Sequence, residues 1–152
     1  MKILVAVDFS DITSKVISHT ASLAHGLKAE VVLLHVAEPN PDHIAYDMDP
    51  SAPYAIDPAE LRDNIAERLR NEHRALQEHA ETLRRQSIDC KALMIQGEPV
   101  SAILDEADKL GASFIVAGSH GKGLLSQMLL GGVSEDLVRK ATLPVHLVPA
   151  TH

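Results

Sequence analysis

Ser113-Phe-Ile-Val-Ala117-Gly118-Ser-His-Gly121-Lys-Gly123, followed a few residues later by Leu130-Gly131-Gly132-Val133-Ser134, decides how this chain is read. The first five residues are apolar and β-rich, as a strand buried on both faces of a parallel sheet should be. Residues 133–141 read as a helix. A strand, a glycine-rich turn and a helix start create a place where backbone N–H groups can point at an anion.

The same alternation extends outward from this segment. Upstream, residues 2–7 are a first apolar strand, broken by Asp8, and Ser10 or Asp11 is expected to cap the next helix. In that helix Ile12, Val16, Thr20, Leu23 and Leu27 fall on one stripe, and Gly26 suits a left-handed C-terminal position. Residues 30–37 are a second buried strand. Asp57-Pro58-Ala59-Glu60 is a strong helix start, and Leu61, Ile65, Leu69, Leu76, Ala80 and Leu83 form the buried stripe that follows. Residues 88–95 form a third strand. Gly97-Glu98-Pro99 opens another helix, with Val100, Ile103, Leu104, Ala107 and Leu110 inward and Gly111 at its end. Pro144-Val-His-Leu-Val-Pro149 closes the series as a short fifth strand. Such alternation implies a parallel sheet with helices on both faces and right-handed crossovers. Ligands bind such sheets beyond the carboxyl ends of the strands, where the strand order reverses. The glycine segment lies at that end.

One segment resists this pattern. Residues 38–56 carry Pro39, Pro41, Pro50 and Pro53, with Tyr46 and Tyr54, the only tyrosines. The stretch is too long for a routine connection. It reads either as an irregular excursion or as a lid over a site.

Composition narrows the function classes. At 152 residues the chain makes one domain with a sizeable core. A net charge of −7 and only 3% aromatic residues argue against nucleic acid, which needs clustered cations or stacking platforms. Cys90 is the only cysteine, so no internal disulfide forms, which fits a reducing compartment. No apolar run approaches the ~18 residues of a membrane span. The N-terminus reads as a strand rather than a signal peptide, so a cytoplasmic location is expected.

Several chemistries lack their residues. Neither a G-x-x-x-x-G-K-[ST] phosphate loop nor a G-x-G-x-x-G after the first strand is present. There is no G-x-S-x-G elbow for a hydrolase, and adjacent Ser119 and His120 in a turn rarely meet. Of nine histidines, His19 and His25 are six apart on one helix, and so are His73 and His79 on another, which misaligns each pair. Without H-E-x-x-H or a second cysteine, the histidines read as scattered over the surface, and no metal is expected on protein side chains.

Within the glycine segment, Gly118 and Gly121 permit close approach of a ligand to the backbone, and Gly131 and Gly132 precede free helix amides. Lys122 and the helix dipole would oppose phosphate charge, while Ser119, His120 and Ser134 could donate to a ribose or phosphate. On spacing alone, two readings stay open: a phosphate cradle, or glycines that only shape a tight connection.

The spacing of Gly118, Gly121 and Gly131, G-x2-G-x9-G, resembles the ATP-binding branch of the universal stress proteins. Ile3-Leu-Val-Ala-Val-Asp8-Phe-Ser10, Val31-Val-Leu-Leu-His35-Val36 and Leu143-Pro-Val-His-Leu-Val-Pro149 resemble the family as well. The resemblance implies a Rossmann-like three-layer sandwich of the adenine nucleotide alpha hydrolase type, with strand order 3-2-1-4-5. It implies a single domain over 1–152, with the excursion at 38–57. It implies adenine and ribose contacts at Ala6, Val7, Asp8 and Val36. Ribose and phosphate contacts would fall at Gly118, His120, Gly121, Gly131, Gly132, Val133 and Ser134. The implied ligand is ATP, ADP or AMP, with Mg²⁺ carried on the phosphates. A homodimer is implied through the fifth strand, at Val145, Leu147 and Val148. A regulatory role in stress response follows, with no catalytic residue and at most slow ATP hydrolysis. A nucleotide-free dimeric interaction protein of the same fold is the alternative. The chain departs from the pattern at one position: Gly132 stands where the motif has Ser or Thr. The missing hydroxyl is worth ~1 kcal/mol, and Ser134 is the nearest substitute.

Overall fold

The computed structural model describes residues 1–38, 57–119 and 132–150. Five strands, β1 (Lys2–Ala6), β2 (Glu30–Ala37), β3 (Cys90–Gln96), β4 (Phe114–Gly118) and β5 (Val145–Val148), form one sheet. Its order is β3-β2-β1-β4-β5, and every neighbouring pair is parallel, as the sequence leads one to expect. Among the described residues the helices are α1 (Thr13–Leu27), α2 (Pro58–Arg84), α3 (Pro99–Leu110) and α4 (Val133–Lys140).

β1 lies at the centre, and its Ile3, Leu4 and Val5 have no solvent exposure. Alternate residues along the strands feed two separate cores. Ile3, Val5, Val31 and Leu33 pack with Val16, Ile17, Leu76 and Leu83 under α1 and α2. Leu4, Val32, Leu34 and Ile115 pack with Val100, Ile103 and Leu137 under α3 and α4. Three layers result, and burial on both faces explains why the strands lack polar alternation. Cys90 sits in the first core, where burial pushes its thiol up to about 11, so it is an inert packing residue.

Local signals set most helix ends. Asp57 caps α2 by accepting the Ala59 N–H at 2.9 Å, with Pro58 in the first position. The Glu98 carboxylate caps α3, accepting from Val100 N at 3.1 Å and Ser101 N at 2.8 Å. The Ser101 hydroxyl and these two amides hold the Glu98 carboxyl below its usual range. Gly111 ends α3 in the left-handed region, φ 62°, as expected.

Three expectations are corrected. Neither Ser10 nor Asp11 caps α1; the N-cap is Ile12, without a side-chain bond. Asp8 explains this, because its Oδ1 takes both the Ser10 N–H at 3.0 Å and the Ser10 hydroxyl at 2.6 Å. The left-handed residue after α1 is Lys28, φ 51°, and Gly26 stays helical. In the α2 stripe, Leu76, Ala80 and Leu83 are fully buried, but Leu61, Ile65 and Leu69 are only half-buried. A helix of 27 residues is about 40 Å long. A strand of seven residues covers only about 23 Å. The first half of α2 therefore overruns the carboxyl end of the sheet.

Candidate functional site

The strand order reverses around β1, with β2 on one side and β4 on the other. The carboxyl ends of these three strands thus lie side by side, at the place where a doubly wound sheet takes a ligand. Val36, then Ala6, Val7 and Asp8, then Gly118 and Ser119, follow one another across that edge. Val7 N bonds to Leu34 O at 2.9 Å and Ser119 N to Val148 O at 2.9 Å, so the sheet ladder continues up to the edge. Ala6 and Val36 are half-buried on the α3–α4 face, while the Val7 side chain is buried on the other. His120, Gly121, Lys122 and Gly131, together with Tyr46 and Tyr54, lie outside the described residues.

Asp8 closes a tight turn on Ser10, and the turn forces Phe9 to φ 58°, a left-handed conformation uncommon for a non-glycine residue. The turn fixes the Asp8 carboxylate at the end of β1.

On the other side, α4 begins directly after Gly132, which is its N-cap with φ −87° and ψ 170°. Glu135 N and Asp136 N both donate to Gly132 O at 3.1 Å. The first two amides of the helix, those of Val133 and Ser134, therefore have no acceptor within it. Two parallel N–H groups at the positive end of a helix dipole suit a phosphate oxygen. The acids of this first turn, Glu135 and Asp136, are partly offset by Arg139, at 2.5 Å from Glu135 and 4.0 Å from Asp136.

The hydroxyls expected to help here are differently engaged. Ser134 Oγ donates to Ser119 O at 3.0 Å, so its proton is directed at the protein. Ser119 Oγ accepts from Ala150 N at 3.3 Å. Ser134 therefore ties α4 to the end of β4 and does not replace the hydroxyl absent at Gly132.

A residue that sequence reasoning passed over also braces the site. His35 is 7% exposed in β2 rather than on the surface. Its Nδ1 donates to the Val7 carbonyl at 2.8 Å, and its Nε2 meets Glu72 Oε2 of α2 at 3.2 Å. The Phe9 ring lies against the imidazole, centroids 4.5 Å apart. Glu72 is also 4.0 Å from Arg68, whose guanidinium donates to Glu38 O at 3.2 Å. The available signal was a single histidine inside an apolar run, since a buried imidazole needs partners.

Two concavities bounded by described residues lie elsewhere. One is lined by Leu104, Asp108, Gly111, Lys140 and Thr142, the other by His25, Lys28, Ser87 and Asp89. Neither includes a residue of the glycine segment. Among the described residues no group of three or more His, Cys, Asp or Glu is placed to hold a metal ion. No described helix is long and apolar enough to cross a membrane.

Comparison with known proteins agrees with this fold. Residues 1–149 match the universal stress protein family. Universal stress protein YxiE of Bacillus subtilis is 30% identical over 148 residues, 97% of each chain. A universal stress protein of Thermus aquaticus is 32% identical over 148 residues, 96% of each chain. The structure of MJ0577, a universal stress protein of Methanocaldococcus jannaschii, superposes with a TM-score of 0.76 at 26% identity, covering 99% of this chain and 96% of that one. At 22% identity and a TM-score of 0.62, the universal stress protein of Archaeoglobus fulgidus, solved with dAMP, shares the fold over 97% of this chain and 96% of its own. By sequence match and by architecture, the chain belongs to the universal stress protein family.

Proposed function

We propose that this protein binds an adenine nucleotide, ATP foremost, and serves as a regulatory module in stress response. The observation that carries the reading is the pair of amides at Val133 and Ser134 that find no acceptor within α4, at a helix start tied to the carboxyl end of β4. The G-x2-G-x9-G spacing of Gly118, Gly121 and Gly131 supports it. Ala6, Val7, Asp8 and Val36 border the adenine and ribose end. Gly118, His120, Gly121, Gly131, Gly132, Val133 and Ser134 serve the ribose and phosphates. Mg²⁺ arrives with the phosphates rather than on a cluster of side chains. Fold relatives solved with dAMP and cAMP, at 22% and 18% identity, speak to what the architecture holds rather than to these side chains.

The test is to denature purified protein and identify any released nucleotide by chromatography. Calorimetry with ATP and Mg²⁺ on wild type and Gly121→Val follows. Release of adenine nucleotide, or binding heat lost in the variant, is the expected result. Empty protein without binding heat sinks the reading and leaves the nucleotide-free interaction protein. That second reading draws on Gly132 and on the inward-directed Ser134 hydroxyl. Turnover above background, lost in Gly121→Val, would make the protein a slow ATPase.

The reading includes a cytoplasmic homodimer paired through β5. β5 is a sheet edge, and Leu147 is 36% exposed on it, whereas Val145 is half-buried and Val148, at 2%, belongs to the protein's own core. Pro144 O and Val148 O bond back to β4, so the alternation of a parallel ladder turns the Leu147 N–H toward the free edge. Leu147→Pro removes that donor and no internal ladder bond. It should give a monomer by light scattering with an unchanged circular dichroism spectrum; a persistent dimer rules out the β5 edge.

A further inference from the structure

We propose that His19 and His146 form a two-imidazole site for a nitrogen-preferring divalent transition cation, of the Ni(II), Cu(II) and Zn(II) class. His19 is on α1 and His146 on β5, 127 residues apart in sequence, and their Nε2 atoms are 2.8 Å apart. The ring centroids are 4.7 Å apart with planes 28° from parallel. The nitrogens are closer than the ring centres, so each ring presents its Nε2 edge to the other. In the metal-free protein one Nε2–H donates to the lone pair of its neighbour. Moving that proton to Nδ1 turns both Nε2 lone pairs toward the gap without changing the net charge.

The separation suits a chelate. Metal–nitrogen bonds of ~2.05 Å put two cis nitrogens about 2.9 Å apart at a right angle and about 3.3 Å apart at a tetrahedral angle. The first matches the observed spacing, and small rotations of two partly exposed rings reach the second. The backbones beneath are firm: Thr20 and Val16 of α1 and Val148 of β5 are core residues. Lys15, one turn before His19, donates its ammonium to Pro149 O at 2.8 Å. Two neutral imidazoles select Cu(II), Ni(II) or Zn(II) over Mg²⁺ and Ca²⁺, which prefer oxygen. Water completes the coordination. The site stands independently of the nucleotide reading, since its ligands belong to α1 and β5 rather than to the glycine segment.

The test uses tag-free full-length chain with NiCl₂ and ZnCl₂, followed by calorimetry and thermal melting. The site joins two elements, so metal should raise the melting temperature of the wild type. His19→Ala and His146→Ala should each weaken binding by more than the about tenfold that losing an outer-shell partner costs, and should abolish the thermal shift. His25→Ala, an exposed histidine of the same helix, should behave as wild type. Cu(II) in the wild type should show hyperfine coupling to two imidazole nitrogens by electron paramagnetic resonance, and to fewer in either variant. Metal-free circular dichroism establishes that all variants are folded. Equal metal response in wild type and both variants, or equal loss in His25→Ala, overturns the proposal.

Discussion

Gly132→Asp should weaken ATP binding by about a hundredfold, and Gly132→Ser should tighten it about fivefold, with neither lowering the melting temperature. The backbone at Gly132 lies at φ −87°, open to any residue, and a Cβ there meets nothing within 4 Å. Aspartate and serine are also better helix N-caps than glycine, by a few tenths of a kcal/mol. Stability therefore moves the same way in both variants, and binding moves in opposite directions. A carboxylate ~5 Å from a phosphate, at an effective dielectric constant of ~20, is repelled by about 3 kcal/mol, the source of the hundredfold loss. A serine hydroxyl restores one donor, worth ~1 kcal/mol. Its oxygen can accept the Glu135 amide while its proton faces the ligand. Calorimetry with ATP and Mg²⁺, alongside melting curves, reads both effects. If Gly132→Asp binds like wild type, phosphates do not sit at the start of α4. If Gly132→Ser gains nothing, the hydroxyl is not what this loop lacks.

The sequence discloses what is decided locally or by burial. Strands in the middle of the sheet read as continuous apolar runs, the edge strands β3 and β5 were legible from shorter apolar stretches between turn residues, and Asp57, Pro58 and Gly111 announced helix ends because a cap acts within one turn. It hides what depends on competition or on distance. Ser10 looked like a cap, but Asp8, two residues earlier, captures both of its donors. Lys28, not the more permissive Gly26, takes the left-handed turn because α1 runs to Leu27 before Ala29 N closes on Ala24 O. Leu61, Ile65 and Leu69 keep perfect helical spacing while half-exposed, since spacing does not reveal where the sheet beneath a helix ends. Ser134 was legible as a hydroxyl near the loop, but its bond to Ser119 spans 15 residues. The nearest spacing for His19 was His25, whereas the fold sets it against His146. Of the candidate site, the strand ends and the start of α4 could be read from sequence; the bracing beneath Val7 could not.

That bracing leads to the second large effect: His35→Leu should destabilise the protein by about 3 kcal/mol in urea unfolding and weaken ATP binding as well. Leucine fills much of the imidazole volume, so the loss comes from polar groups rather than from a cavity. The Val7 carbonyl loses its 2.8 Å donor in a buried setting, and an unsatisfied buried group costs about 1–3 kcal/mol. Glu72, 20% exposed, keeps among the described residues only Arg68 at 4.0 Å. Glu72→Gln separates the parts. Its amide can donate to the Nε2 lone pair while Nδ1 still holds Val7, so stability should fall by less than about 1 kcal/mol, the net worth of one hydrogen bond. ATP affinity should then be unchanged, because the Val7 carbonyl remains fixed. The two variants thus distinguish a histidine that serves the end of β1 from one that merely pairs with α2. If Glu72→Gln costs as much as His35→Leu, the contact to α2 is the dominant one. If His35→Leu unfolds like wild type, the end of β1 is held without it, by contacts that include the tight turn of Asp8 on Ser10 and the Val7 N–H bond to Leu34 O.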